Sequence, residues 1–214
     1  MDEETAIINT NTRNEKIKNF FINNKKNFII VISIVLISLI GFFTYVEIKK
    51  RNKIKIANQF NSVIIEFNRT PKEKTINALT NIINEKDNSY SPLALYFIID
   101  NNLLDSRDSI NELFDVLINK TNLEKEIKNL IIYKKALYNS DFVEENILIQ
   151  ILNPIINSQS IWKSHGLYLM AEYYYSKNEK QKAKEFFNQI LILPNGNKEI
   201  KLESKKRINR DLSE

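Results

Sequence analysis

The sequence predicts an all-α protein in which one transmembrane helix precedes a domain of helical hairpins. Three observations lead to this fold class. Apolar residues recur three and four positions apart in most segments after residue 46, which is the spacing of one helix face. The 214 residues include only Gly 3 and Pro 4, so turns that need positive φ are scarce. One stretch, Phe28 to Val46, is apolar without interruption. We therefore expect a membrane anchor followed by short amphipathic helices.

The apolar stretch FIIVISIVLISLIGFFTYV has the length of a membrane span. Its roughly 19 residues form a helix of about 28 Å, close to the hydrocarbon thickness of a bilayer. A buried core helix would normally carry polar positions on one face, and none recurs here. A cleaved signal peptide has an apolar region of about 7 to 15 residues and a small-residue cleavage site, which this stretch lacks. We predict a polar cytoplasmic tail at 1–27, an uncleaved single-pass anchor at 28–46 and a helical domain at 47–214.

The formal net charge of +5 does not by itself indicate a nucleic-acid partner. A basic cluster follows the anchor directly, where anionic lipid headgroups are the natural partner. It consists of Lys49, Lys50, Arg51, Lys53 and Lys55. Farther along the chain acidic and basic residues are interspersed, so we expect the lipid bilayer and proteins as partners, and no nucleic acid. Lys and Arg residues before the anchor nearly balance this cluster, and the positive-inside rule therefore leaves the orientation undecided.

The segments around the anchor carry weaker signals. Residues 1–27 lack a sustained apolar period, so we expect a mostly disordered tail with a short helix around Glu15 to Ile22. After Val46 the helix is expected to continue as far as Phe67, because Ala57, Phe60, Val63 and Ile64 keep a helical period.

The later helices are predicted from their start signals. Thr70, Pro71 and Glu73 suggest an N-cap, a first helical position and a capping box. Ser91-Pro92 suggests a second start, for a helix through Leu104. Further helices are expected from the capping box Thr121 and Glu124, over Phe142 to Ile156 with an end or kink near Asn153 before Pro154, and over 161–176, 179–192 and 199–212.

The segment Ser164 to Asn197 fits one tetratricopeptide (TPR) hairpin. Small and aromatic residues fall where two helices of that repeat cross, because an Ala on each helix lets the backbones approach and the rings fill the space beside them. The predicted packing residues are Ala171, Tyr174, Ala183 and Phe187. Earlier hairpins match this frame only in period and length.

The outer face of the first helix in this hairpin is the predicted partner-binding groove. In stacked repeats this face lines the concave side. It carries His165, Tyr168, Leu169, Glu172 and Tyr175. Two tyrosines beside an acid suit an extended or unfolded peptide, because tyrosine offers both apolar area and a hydrogen bond. The alternative interpretation is that these rings pack on the Phe142 to Ile156 helix and belong to the core.

The layout as a whole resembles the YfgM-like, TPR-type ancillary subunits of the bacterial SecYEG translocon. The resemblance lies in the short tail, the anchor, the helix through Ala57 and Phe60, the start Ser91-Pro92-Leu93-Ala94 and the closing hairpin GLYLMAEYYYSKNEKQKAKEFFNQIL. The departures are a low alanine content and Lys177-Asn178 in place of a glycine turn, where Asn can still adopt the left-handed conformation.

This resemblance implies a single-pass inner-membrane protein with a cytoplasmic N-terminus and a periplasmic C-terminal domain. Its implied partners are the Sec translocon, a periplasmic chaperone and secreted client proteins, which the protein would help to hand over. A cytoplasmic-facing membrane-bound TPR scaffold is the alternative, and a membrane-surface enzyme with an unrecognised acid pair is a further one.

Catalytic motifs are absent from the sequence. The single histidine, His165, and the lack of Cys argue against an ordinary zinc site, and no P-loop, dinucleotide fingerprint or G-x-S-x-G occurs. Glu144 and Glu145 point in diverging directions on a helix and are interpreted as solvated surface. We predict no catalytic residues, no metal and no cofactor, and hence a protein that is not an enzyme.

Overall fold

The structure is a computed structural model that describes residues 2–212, with side chains from residue 13 onward. Within that range the chain is helical and contains no strand, which confirms the all-α prediction. The helices are α1 (Asp2–Asn23), α2 (Lys25–Ile65), α3 (Lys72–Asn84), α4 (Tyr90–Asp100), α5 (Arg107–Lys120), α6 (Lys125–Asn139), α7 (Glu145–Ile156), α8 (Lys163–Ser176), α9 (Lys180–Ile192) and α10 (Lys198–Asp211), with a 3-10 turn at Phe67–Arg69. The chain divides into two compact units, of which the first ends at Lys55 and the second begins at Ile56.

The first unit begins with α1, where the sequence predicted a mostly disordered tail. The backbone is helical over Asp2–Asn23, which confirms the predicted short helix around Glu15 to Ile22 and extends it over described residues where disorder was expected. Residues 2–23 contain neither Gly nor Pro, and nothing in the backbone interrupts helical hydrogen bonding. At the junction the Asn24 N–H donates to the Phe20 carbonyl, and the Phe28 N–H donates to the Asn24 carbonyl. The rings of Phe21 and Phe28 stack with their centroids 4.8 Å apart.

Helix α2 carries the apolar stretch and is 41 residues long. Among the described residues it is the one helix long and apolar enough to cross a membrane, and none of its most apolar 18-residue window is buried. A core helix would bury at least one face, so this exposure distinguishes α2 from the other apolar helices. The helix continues without a break past Val46, which confirms the predicted continuation, and ends at Ile65, two residues before the predicted Phe67. Its final turns belong to the second unit, where Ile56 and Phe60 are buried.

The second unit holds two clusters of buried apolar side chains. We call them the first core, which runs from Ile56 to Ile131, and the second core, which runs from Ile132 to Leu212. Helix α6 contributes to both, because Ile131 is 0% exposed in the first and its neighbour Ile132 is 5% exposed in the second. Ile118 of α5 packs against both clusters. The two cores therefore meet at α5 and α6.

The predicted start of α3 is displaced. The Thr70 N–H donates to the Phe67 carbonyl and closes the preceding 3-10 turn. The N-cap position falls on Pro71, which has no side-chain oxygen, and no side chain caps the helix. The capping box of Thr70 and Glu73 is therefore wrong, because the helix begins one residue later than that motif requires.

The start of α4 is set by an aspartate rather than by Ser91-Pro92. Asp87 Oδ1 accepts hydrogen bonds from the backbone N–H groups of Ser89 and Tyr90, each 2.8 Å long. Ser91 lies inside the helix, and its buried hydroxyl donates to the Ile82 carbonyl at 2.8 Å. It thus ties α4 to the last turn of α3, where helix carbonyls lack an intrahelical partner. The helix ends at Asp100, before the predicted end at Leu104.

The predicted starts of α6 and α7 also differ from the structure. The Thr121 hydroxyl donates backward to the Val116 carbonyl at 3.2 Å, and Glu124 provides no side-chain cap to α6, so the second capping box is also wrong. Helix α7 begins at Glu145 and continues through Pro154 to Ile156. Proline lies so close to the end of α7 that its missing N–H affects only the last turn.

Candidate functional site

The hairpin of α8 and α9 is built around a tight turn with asparagine in the glycine position. Asn178 has φ of 61°, and its N–H donates to the Tyr175 carbonyl at 3.0 Å. The Glu179 N–H donates to the Tyr174 carbonyl at 2.9 Å, which completes a Schellman-type helix end. The prediction that Asn can take the left-handed conformation here is confirmed.

Small residues lie where the helices approach one another. The four residues assigned to hairpin packing are buried, with exposures of 0% for Ala171, 3% for Tyr174, 0% for Ala183 and 0% for Phe187. On the other side of α8, a Cβ at Gly166 would meet Ile156 Cγ2 at 3.1 Å. A side chain at that position would therefore crowd Ile156 of α7.

Helix α10 lies on the face that the sequence predicts as a partner-binding groove. The Arg207 guanidinium donates to both carboxylate oxygens of Glu172, at 2.7 and 2.6 Å. The same guanidinium lies 4.2 Å from the centre of the Tyr175 ring and bonds Asp211 on its own helix. Arg207 therefore brings Glu172 and Tyr175 together within the chain. This bidentate geometry also raises the pKa of Arg207 above its ordinary value.

The other three predicted groove residues lie in different environments. Tyr168 meets the Phe187 ring edge to face at 5.5 Å, and burial together with the Glu172 charge raises the pKa of its hydroxyl to about 12. Leu169 is only 8% exposed and belongs to the second core. His165 packs at 5.0 Å from Trp162, and burial lowers its pKa. A role for these five residues in partner binding stays a prediction.

Packing against the Phe142 to Ile156 segment, the alternative interpretation of the groove rings, is seen instead for two neighbouring tyrosines. Tyr173 donates to the Val143 carbonyl at 3.1 Å, and Tyr174 donates to Glu145 Oε1 at 2.7 Å. Both bonds connect α8 to α7 or to the loop before it. Glu145 also pairs with Lys182 of α9 at 3.2 Å, so this carboxylate links three helices and is not merely solvated surface. Hydrogen bonds and the Lys182 charge lower the pKa of Glu145.

Sequence patterns did not reveal the residues that hold this region together. Arg207 and Asp211 are four positions apart on the weakly amphipathic α10, a spacing compatible with an ion pair on one helix face. That spacing was the one available signal, and it does not indicate the Glu172 partner. Among the residues that the structure describes, no three His, Cys, Asp or Glu side chains are arranged to hold a metal ion.

Comparison with known proteins identifies no relative of this chain. No protein-family model, no curated protein and no solved structure matches it.

Proposed function

We propose that the protein is a membrane-anchored interaction protein. The apolar stretch of α2 would span the bilayer, and the second unit would bind protein partners near the membrane surface. One observation carries this proposal: the same helix has an apolar window with no buried residue and a final segment that enters a folded core through Ile56 and Phe60. An apolar helix without a buried face needs a nonpolar environment outside the protein, which a bilayer provides.

The finer proposal is a TPR-like domain of the YfgM-like translocon subunits. Its support is the series of consecutive helix pairs, in which α3 packs on α4, α5 on α6 and α8 on α9, together with the buried small residues at the last crossing. The translocon, the periplasmic chaperone and the secreted clients come from the sequence resemblance alone. In this proposal the N-terminus is cytoplasmic, the second unit is periplasmic, and the protein is not an enzyme.

A cytoplasmic second unit is the alternative, because the basic cluster after the anchor is nearly balanced by the Lys and Arg residues before it and the charges favour neither orientation. Lys49, Lys50, Arg51, Lys53 and Lys55 are all exposed on α2. Lys and Arg next to a membrane span tend to stay on the cytoplasmic side. A reporter enzyme fused after Glu214 and active only in the periplasm distinguishes the two orientations. Periplasmic activity supports the finer proposal, and activity of a cytoplasm-specific reporter overturns it.

Crosslinking in intact membranes tests the interaction itself. The full-length chain is purified after crosslinking, and its bound proteins are identified by mass spectrometry. The double variant Ile34→Lys, Ile37→Lys places two charges in the apolar stretch and is expected to abolish both membrane association and capture. The matched control, Ile65→Lys, changes an isoleucine that is 80% exposed outside that stretch and leaves both unchanged. The proposal is contradicted if the double variant still associates with the membrane, or if no protein is crosslinked to the native chain.

A further inference from the structure

A cleft of about 550 Å³ lies between α5, α6 and α7 and is separate from the predicted groove on α8. Helices α5 and α7 each pack on α6. The α5 side presents Asn111, Asp115 and Asn119 at every fourth position, which places them along one face of that helix. We call this site the amide cleft.

Its first notable feature is a reciprocal pair of amides. Asn111 donates to Asn139 Oδ1 at 3.0 Å, and Asn139 donates to Asn111 Oδ1 at 2.8 Å. Asn139 uses its second N–H on the Lys135 carbonyl, so its donors are fully engaged and its orientation is fixed. Asn111 therefore keeps one N–H and one carbonyl lone pair in a fixed orientation. The free N–H can bond a backbone carbonyl and the free lone pair can accept a backbone N–H, which are the two groups that an extended chain presents along its edge.

The charged groups of the amide cleft neutralise each other. Lys135 Nζ lies 2.8 Å from Asp115 Oδ1, and the lysine side chain is only 15% exposed. A phosphate or other anionic ligand would have to displace Asp115 from this lysine. The amide cleft therefore favours an uncharged ligand that forms hydrogen bonds.

The opposite wall is aliphatic. Ile147, Ile151 and Pro154 of α7 share one helix face, and Ile147 is 47% exposed. Gln150 lies beside them and forms no hydrogen bond with another described residue. Among the residues with described side chains, none of those lining the amide cleft is aromatic, so they offer no ring on which a sugar or a nucleobase could stack.

We propose that the amide cleft binds a short, extended, uncharged segment of a partner protein that is rich in aliphatic side chains. The amides on α5 and Gln150 bond the peptide backbone, and alternate side chains lie against the α7 wall. From Asn111 to Asn119 the cleft is about 12 Å long, which corresponds to about four extended residues. This inference rests on the proposed function, in that the partner is a protein, and it assigns the contact to residues outside the predicted groove.

The test measures peptide binding to the full-length protein in detergent micelles by fluorescence anisotropy. The probe is a fluorescein-labelled peptide of about nine alternating serine and valine residues, blocked at both ends. Two control peptides carry glycine in place of valine or N-methyl groups that remove the backbone donors. The valine probe is expected to bind at least about tenfold more tightly than either control, because it alone offers both aliphatic side chains and backbone N–H groups. Equal binding of the three peptides overturns the proposal.

Two variants locate the binding without disturbing the core. Ile147→Lys places a charged side chain on the α7 wall and is expected to weaken binding about tenfold or more. The matched control Ile127→Lys changes another half-exposed isoleucine, 41% exposed on α6 but outside the cleft, and leaves affinity unchanged. Gln150→Ala should weaken binding about threefold. Equal affinities of the Ile147 and Ile127 variants overturn the assignment.

The failure of this inference can be separated from failure of the proposed function. If membrane crosslinking captures the same proteins with Ile147→Lys as with the native chain, while the peptide does not bind, the amide cleft is not the contact and the interaction role stands. If the native chain captures no protein, the proposed function fails. Loss of captured proteins with Ile147→Lys alone supports both.

Discussion

The first and second cores of the helical unit are held together by different means. The first core is almost wholly aliphatic, with Phe60 and Phe114 as its buried rings. The Ser91 hydroxyl bonds the Ile82 carbonyl between α3 and α4, and the Asn111–Asn139 pair joins α5 to α6 where the two cores meet. The second core contains buried Tyr173 and Tyr174, whose hydroxyls bond to groups at α7, and its edge carries the contacts of Arg207.

The two kinds of contact differ in how precisely they fix the positions of neighbouring helices. Apolar burial is nondirectional, so the helices of the first core are positioned mainly by how well their side chains fill the space. Hydrogen bonds have a narrow range of distance and angle, so those around the second core also restrict the register between α7, α8 and α10. The four predictions below test this comparison.

Truncating the fully buried phenylalanine of each core should lower stability the most. Phe114 and Phe187 are each 0% exposed. Phe114→Ala and Phe187→Ala are each expected to lower the free energy of unfolding by about 3 to 5 kcal/mol, because each removes a ring and leaves a cavity. Urea denaturation followed by circular dichroism measures the change. A loss below about 1 kcal/mol at either site would mean that its core is not packed as described.

Removing the guanidinium at the edge of the second core should have a smaller effect. Arg207→Ala is expected to lower the free energy of unfolding by about 2 kcal/mol, since it deletes a bidentate charged contact and leaves Glu172 without its partner. Lys205→Ala, an exposed residue on the same helix, is the control and should change stability by less than about 0.5 kcal/mol. Indistinguishable variants in a denaturant titration would show that α10 is held by its apolar contacts alone.

The pKa values of two tyrosines, one beside each core, should be raised for different reasons. Burial raises the pKa of Tyr96 to about 12, whereas burial together with the Glu172 charge raises that of Tyr168 to about 12. Both tyrosines favour the neutral, protonated form in the folded chain. Their stabilisation is complete below the ordinary tyrosine pKa of about 10 and is lost as the pH rises toward 12.

Ultraviolet titration of Tyr96→Phe and Tyr168→Phe against the native protein measures each pKa. Added salt should lower the pKa of Tyr168 and leave that of Tyr96 unchanged, because salt screens a charge and does not alter burial. Equal salt responses would contradict the role of Glu172.

Glycine substitutions at two turns should change the free energy of unfolding the least, and one of them should raise it. Lys86 after α3 has φ of 56° and Asn178 after α8 has φ of 61°. A left-handed conformation strains lysine by about 1 to 2 kcal/mol and asparagine by less, while glycine adds about 0.5 to 1 kcal/mol of unfolded-chain entropy. Lys86→Gly should therefore raise the free energy of unfolding by about 0.5 kcal/mol, and Asn178→Gly should change it little. Thermal melting compares the two, and stabilisation only at Asn178 would refute this account.

The sequence predicted what depends on local periodicity. The apolar stretch of α2, its continuation and the buried stripes of the later helices follow from spacing along one chain segment. Asn178 in the left-handed conformation follows from the same kind of local signal. Helix starts were predicted less well. The hydroxyls of Ser91 and Thr121 can bond several nearby groups, and each bonds a carbonyl of the preceding helix instead of capping the next one.

The candidate sites depend on contacts between distant segments. Glu172 and Arg207 are 35 positions apart, and Asn111 and Asn139 are 28 positions apart. No periodic pattern connects such pairs, and the chain is rich in asparagine, so one functional amide does not stand out. The sequence could identify the faces of α8 and α5, but only the packing of α10 and α6 shows what those faces meet.

The consecutive isoleucines of α6 have a mechanical consequence. Ile131 faces one core and Ile132 faces the other, about 100° apart around the helix axis. If α6 turned about its axis in either direction, it would withdraw one of these side chains from its packing. We therefore expect α6 to keep its rotational orientation when a ligand binds. A peptide segment in the amide cleft would then be accommodated by displacement of α7 rather than by rotation of α6.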